Sequence, residues 1–165
     1  MPDELRPQFV LGPPIARPPR RAFFWSHTMD VVELIKRHEG YSQSVYRCTA
    51  GRQTIGFGRN LDDVGISRDE AEWLLKRDIE RAIGSLRTEP YWLDLSEVRQ
   101  AVLIDMVFNL GWAGFAKFQR LRMALGRQDW DAASNEMRSS VWFKQVGTRS
   151  QRLCVMMQTG LWPRS

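Results

Sequence analysis

A chain of 165 residues, 43% of them hydrophobic, is long enough for one domain with a substantial core. Its formal charge of +5 favours an anionic partner, whether nucleic acid, a lipid surface or an acidic cell envelope. Two cysteines, Cys48 and Cys154, lie far apart and outside any CxxC or Cys/His spacing, which excludes a disulfide framework or a metal site as the basis of the fold.

The opening "MPDELRPQFVLGPPIARPPRR" is acidic where a secretory signal is basic, and prolines interrupt its only apolar stretch, so no secretory signal is expected. Residues 1–28 read as a Pro/Arg-rich lead. It ends in "RRAFFWSH", whose aromatics suit packing on the domain or contact with a membrane or partner. Asp30 is the expected N-cap of a first helix, with Val31, Leu34, Ile35 and His38 at helical spacing and Gly40 as its stop. The segment "SVYRCTAGRQTIGFG" places β-formers around an Ala-Gly turn and predicts a small antiparallel hairpin.

Ser67 and Glu70 form a capping box, opening a long helix over about 67–87 that Pro90 terminates. From Ser96 the pattern is helical throughout. A core helix runs to Leu110, a glycine-punctuated stretch covers 111–116, and shorter amphipathic helices centre on Leu121, Trp130, Trp142 and Leu153. The run "AVLIDMVFNLGWAGFAKF" is broken by Asp105, Asn109, Gly111 and Gly114, so it falls short of the roughly 20 apolar residues of a membrane span and reads as a core helix. Most tryptophans are expected in the core, as is Cys154, which stands among Leu153, Val155, Met156 and Met157. The expected fold class is α+β. A catalytic domain over 29–165 would have a sheet lobe over about 40–66, a linking helix over 67–87, a helical lobe over about 90–162 and a cleft between the lobes.

Glu39 closes the first predicted helix, where the negative end of the helix dipole favours a protonated carboxyl. A proton held near neutrality is what a general acid at a glycosidic oxygen needs, although an exposed terminal glutamate is the plainer account of that position. Glycosidases commonly use a second group across the scissile bond. A hairpin starting just after Glu39 would bring Cys48 and Thr54 back towards it.

The string "EGYSQSVYRCTAGRQTIGFG" resembles the phage-type lysozymes, the muramidase endolysins of tailed bacteriophages. It shows their spacing of Glu, eight residues, Asp or Cys, five residues, Thr, and their Thr-Ile-Gly-x-Gly ending. The segments "VRQAVLIDMVFNLG", "GFAKFQRLRMAL" and "SSVWFKQVGTRSQRLCVMMQTGLW" extend the resemblance over about residues 30–162. It implies a lysozyme-like two-lobed fold and hydrolysis of the β-1,4 bond between N-acetylmuramic acid and N-acetylglucosamine in peptidoglycan, with no cofactor. By that resemblance Glu39 is the proton donor, Cys48 holds the second catalytic position, Thr54 positions the attacking water, and Arg149 pairs with the catalytic glutamate. Phe108 and Trp112 are candidates for contact with sugar rings.

This chain departs from better-known members in carrying Cys48 where they have aspartate and Arg59 where they have histidine. A free thiol is only a few per cent ionised at neutral pH, and Arg47, Arg52 or Arg59 would favour the thiolate. Whether Cys48 then acts as base or nucleophile stays open. Two other functions compete. A lytic transglycosylase would cleave the same bond with a single acid and leave a 1,6-anhydro end. A nucleic-acid-binding protein would use the basic charge, but the arginines are scattered and no nucleic-acid fold is recognisable. A monomer is expected, made in the host cytoplasm and reaching the wall through a separately made membrane lesion; a virion-associated lysozyme is the other role considered.

Overall fold

The computed structural model describes the backbone of residues 20–163 and the side chains from residue 30 onward. The first 19 residues of the expected lead, and the aromatic side chains of "RRAFFWSH", lie outside that description. The chain divides into two compact units, residues 1–66 and 67–165, and each is an assembly in its own right.

The first unit opens with α1, Arg20–Glu39, ten residues earlier than Asp30. Asp30 is therefore an interior residue of the helix and not its cap. Pro19 is the last proline before Pro90, so every residue from Arg20 on can join the hydrogen-bond ladder, and an exposed Asp within a helix costs only a few tenths of a kcal/mol. The far end is where the glycine puts it: Gly40 takes φ +68° and its N–H donates to the Lys36 carbonyl at 3.1 Å. Lys36, Arg37 and His38 in the last turn complement the helix dipole.

Three antiparallel strands follow in spatial order β1-β2-β3: β1 Ser42–Arg47, β2 Gln53–Gly56 and β3 Arg59–Asn60. The hairpin read from the sequence is β1 and β2, with Tyr46 opposite Thr54 and Arg47 opposite Gln53. The third strand has only two residues, too few to show a period in sequence. It forms because Phe57 and Gly58 turn the chain so that Arg59 pairs with Ile55 and Asn60 with Thr54. The loop beyond is tied down by the Asn60 side-chain oxygen, which accepts from the N–H groups of Asp62 and Asp63 at 3.0 and 3.1 Å.

The second unit is helical. α2 spans Arg68–Leu86, and its capping box forms as the sequence indicates: the Ser67 hydroxyl accepts from the Glu70 N–H, and the Glu70 carboxylate accepts from the Ser67 N–H at 2.7 Å. A 3₁₀ turn, Trp92–Asp94, leads to α3, Glu97–Phe115, on which the unit is built. Val102, Leu103 and Met106 are fully buried there. Helix α3 does not stop at Leu110. It breaks at Gly111, whose φ of 68° with ψ of 163° is open essentially to glycine alone, and then resumes to Phe115. α4 (Gln119–Gly126), α5 (Trp130–Arg138), α6 (Val141–Val146) and α7 (Thr148–Thr159) complete the unit, with α5 packed on α4 and α7, and α3 on α2 and α7. The whole is α+β, as expected. Among the described residues no single helix is long and apolar enough to cross a membrane.

Two long-range polar links stitch the helical unit. Glu89, at 7% exposure, accepts from Arg122 Nη2 at 2.8 Å and Nε at 3.0 Å, a two-pronged pair between the segment after α2 and helix α4. Arg99 reaches from α3 to the end of α7, donating to the carbonyls of Met157 at 2.9 Å and Gln158 at 3.2 Å, with its guanidinium 4.0 Å from the Trp130 ring centre. It thus satisfies orphan C-terminal carbonyls and places a cation at the negative helix end. Cys154 is fully buried in this core, and burial pushes its thiol pKa up. Trp92 and Trp142 are also core residues, but Trp73 and Trp162 are about 60% exposed, so the tryptophans are less uniformly buried than their number suggests.

Candidate active site

Glu39, Cys48 and Thr54 all belong to the first unit. Glu39 is the last residue of α1. Its carboxyl lies against the turn between β2 and β3, so close that a methyl group on Gly58 would stand 2.8 Å from Oε2 and 3.2 Å from Cδ.

Cys48 follows β1 directly. Its N–H donates to the Arg52 carbonyl at 3.0 Å, and its carbonyl accepts from the Gly51 N–H at 2.8 Å, closing a tight turn between the two strands. Strand alternation puts Tyr46 and Cys48 on one face, and the pairing of Tyr46 with Thr54 puts Thr54 on that face too. The six-residue separation of Cys48 and Thr54 is therefore short in space. Thr54 is buried, at 4% exposure, whereas Cys48 is partly open.

The Cys48 thiol is held below its usual pKa range, first by hydrogen bonding to the backbone at Arg52, then at Ala50, with a further contribution from the Thr54 hydroxyl. The neighbouring arginines are not the cause, contrary to the sequence expectation. Arg47 donates to the Gly51 carbonyl at 2.9 Å, Arg52 pairs with Asp63 at 3.5 Å, and Arg59 donates to the Gly65 carbonyl at 2.7 Å. The Thr54 hydroxyl has one proton and two acceptors in reach, the Arg52 carbonyl at 3.2 Å and the Cys48 sulfur.

In the second unit, Arg149 occupies the first turn of α7 and gives both Nε, at 3.1 Å, and Nη2, at 2.7 Å, to Asp105 Oδ2. Sequence reading noted Asp105 only as an interruption of an apolar run and missed it as the acceptor that holds this arginine. A charged residue on the most apolar helix was the available clue. Phe108 and Trp112 line one groove of about 360 Å³ between α2 and α3, together with Ala82, Ser85 and the ion pair of Asp78 with Arg81. Phe108 is 45% exposed, while Trp112 is half-buried with its ring centre 5.8 Å from that of Phe115. Asn109, one residue on from Phe108, accepts from the Trp142 indole N–H at 3.0 Å.

The site stretch coincides with what the chain shares with known proteins. The phage lysozyme family model matches residues 36–157. The chain is 29% identical to the pre-baseplate central spike protein of Enterobacteria phage T4 over 80% of this chain, but spans only 28% of that protein's length. It is 26% identical to a probable T4-type lysozyme of Dictyostelium discoideum over 79% of this chain and 94% of the relative. A phage endolysin from Acyrthosiphon pisum secondary endosymbiont phage 1 is 35% identical over 62% and 71% of the two chains. A family match that takes in Glu39, Cys48, Thr54 and Arg149 together places this chain in the phage lysozyme family, and so among the lysozyme-type glycoside hydrolases.

Proposed function

We propose that the chain is an endolysin that hydrolyses the β-1,4 bond between N-acetylmuramic acid and N-acetylglucosamine in peptidoglycan, for host cell lysis. The observation that carries this reading is the grouping, within one small unit, of a carboxyl group at a helix end with a thiol and hydroxyl on one strand face. Glu39 donates the proton to the leaving glycosidic oxygen. Cys48 supplies the opposite group, an anion or lone pair directed at the anomeric carbon or at its attacking water. Thr54 orients that water through the same hydroxyl rotor that stabilises the thiolate. Arg149, by the family resemblance, orients the acid, with Asp105 fixing two of its nitrogens. Phe108 and Trp112 offer ring faces to the sugars. The protein works as a monomer without a cofactor, made in the host cytoplasm and reaching the wall through a separate membrane lesion.

Likeness to a phage spike protein favours one second reading, a lysozyme carried on the virion. The bond chemistry is the same in both. Turbidity loss of purified walls with mass spectrometry of the fragments tests the reaction: reducing muramic ends are expected, and 1,6-anhydro ends would overturn hydrolysis in favour of transglycosylation. Glu39→Gln should fold and lose about 10²–10⁴ in rate, the usual contribution of a general acid.

A further inference from the structure

We infer that Gly58 is a positioning residue for this reaction: its bare α-carbon is the seat of the Glu39 carboxyl, and any side chain there displaces the acid. The inference rests on the reading of Glu39 as the proton donor.

Two separate constraints act on Gly58. Its φ of +78° favours glycine, but Gly40, Gly51, Gly56 and Gly65 share that property in the same unit. What sets Gly58 apart is the space beside it. A Cβ at Gly40, Gly51 or Gly56 would meet nothing within 4 Å, and at Gly65 only the Leu61 carbonyl at 3.9 Å. At Gly58 it would meet Glu39 Oε2 at 2.8 Å, Cδ at 3.2 Å and Cγ at 3.5 Å. These three atoms are consecutive along the outer half of one side chain, so the carboxyl lies alongside the α-carbon and does not merely touch it.

The clash would be relieved in a way that separates folding from catalysis. Its partner is the far end of a flexible glutamate, so the side chain swings aside about its own torsions while the backbone stays in place. A proton donor moved by about 1 Å loses roughly 100-fold in rate when alignment with the leaving oxygen is lost. Strand pairing just beyond Gly58, Arg59 with Ile55 and Asn60 with Thr54, anchors this seat to the strand that carries Thr54. The β2–β3 turn therefore sets where the acid stands relative to the opposite catalytic face.

The test compares Gly58→Ala with Gly65→Ala, which carries the same backbone strain without the carboxyl neighbour, by reducing-end release from soluble glycan strands. Gly58→Ala should lower kcat by about 10- to 100-fold with KM within about twofold, and melt within about 2 °C of Gly65→Ala. Gly58→Asn, a residue that tolerates positive φ, should show the same kcat loss and carries the test if the alanine variant does not fold. In a Glu39→Gln background Gly58→Ala should have no further effect, because it acts only through the acid. Wild-type kcat in a folded Gly58 variant, an equal loss in Gly65→Ala, or an additive loss in the double variant would overturn the inference. Wild-type rate in Glu39→Gln would instead strike the acid assignment itself.

Discussion

Alkylation of Cys48 provides a direct test of the second catalytic position, because the protein contains its own control. An ordinary thiol with a pKa near 8.5 is about 3% ionised at pH 7, and the thiolate is the reacting species. Backbone hydrogen bonds at Arg52 and Ala50 lower the Cys48 value, so its alkylation rate should rise to half-maximum at a lower pH than that of the same thiol without those bonds. Cys154 differs in both respects: burial raises its pKa, and it has no exposed surface, so a reagent reaches it only through opening of the helical core. Under iodoacetamide at pH 7, Cys48 should be modified at least tenfold faster, as read by peptide mass. Wall-lytic activity should fall in step with Cys48 modification, by about 10²–10⁴ at completion. Cys48→Asp should stay active and resist the reagent, whereas Cys48→Ala should be as impaired as the alkylated enzyme. Lysis at wild-type rate after complete Cys48 alkylation would refute a catalytic thiol and leave a mechanism with Glu39 alone.

Arg122→Met leaves Glu89 buried and unpaired, at a cost of about 3 kcal/mol, the low end of the usual range because Arg122 is one-third exposed; the melting temperature should drop by about 6–12 °C, and a drop under 2 °C would show the pair to be dispensable. Arg99→Met removes two hydrogen bonds to the last turn of α7 and the contact with Trp130, for about 2–3 kcal/mol by urea unfolding, with loss of amide protection concentrated in α7. Gly160→Ala should destabilise the same helix end, since its Cβ would meet the Arg99 guanidinium at 2.8 Å at a φ of +70°; an unchanged unfolding midpoint would count against this packing. Phe108→Ala should raise KM about five- to tenfold with kcat little changed, as expected for a group that binds substrate and transition state alike, and an unchanged KM would remove Phe108 from the sugar-binding surface.

Local chemistry was legible along the chain wherever one side chain acts on backbone within a few residues. The Ser67–Glu70 capping box, the Gly40 stop after Glu39 and the hairpin of β1 with β2 all depend on interactions spanning a turn or two, so the sequence alone determined them. Family membership was legible for a related reason: a helix end followed at once by a tight hairpin keeps residues at fixed separations, here Glu39, Cys48 and Thr54, and the family model matches the stretch that carries them. The start of α1 was misplaced because an aspartate suits a cap but is also tolerated inside a helix. Tertiary structure decided what depends on distant partners. Arg149 meets Asp105 44 residues away, Glu89 meets Arg122 33 residues away, and neither choice of acceptor follows from periodicity, which fixes a face but not what lies across from it. The thiol of Cys48 shows the same division. Its neighbours in sequence suggested arginine charge as the influence on its ionisation, but the folded turn sends those guanidinium groups to carbonyls and to Asp63, and leaves backbone at Arg52 and Ala50 to hydrogen-bond the sulfur.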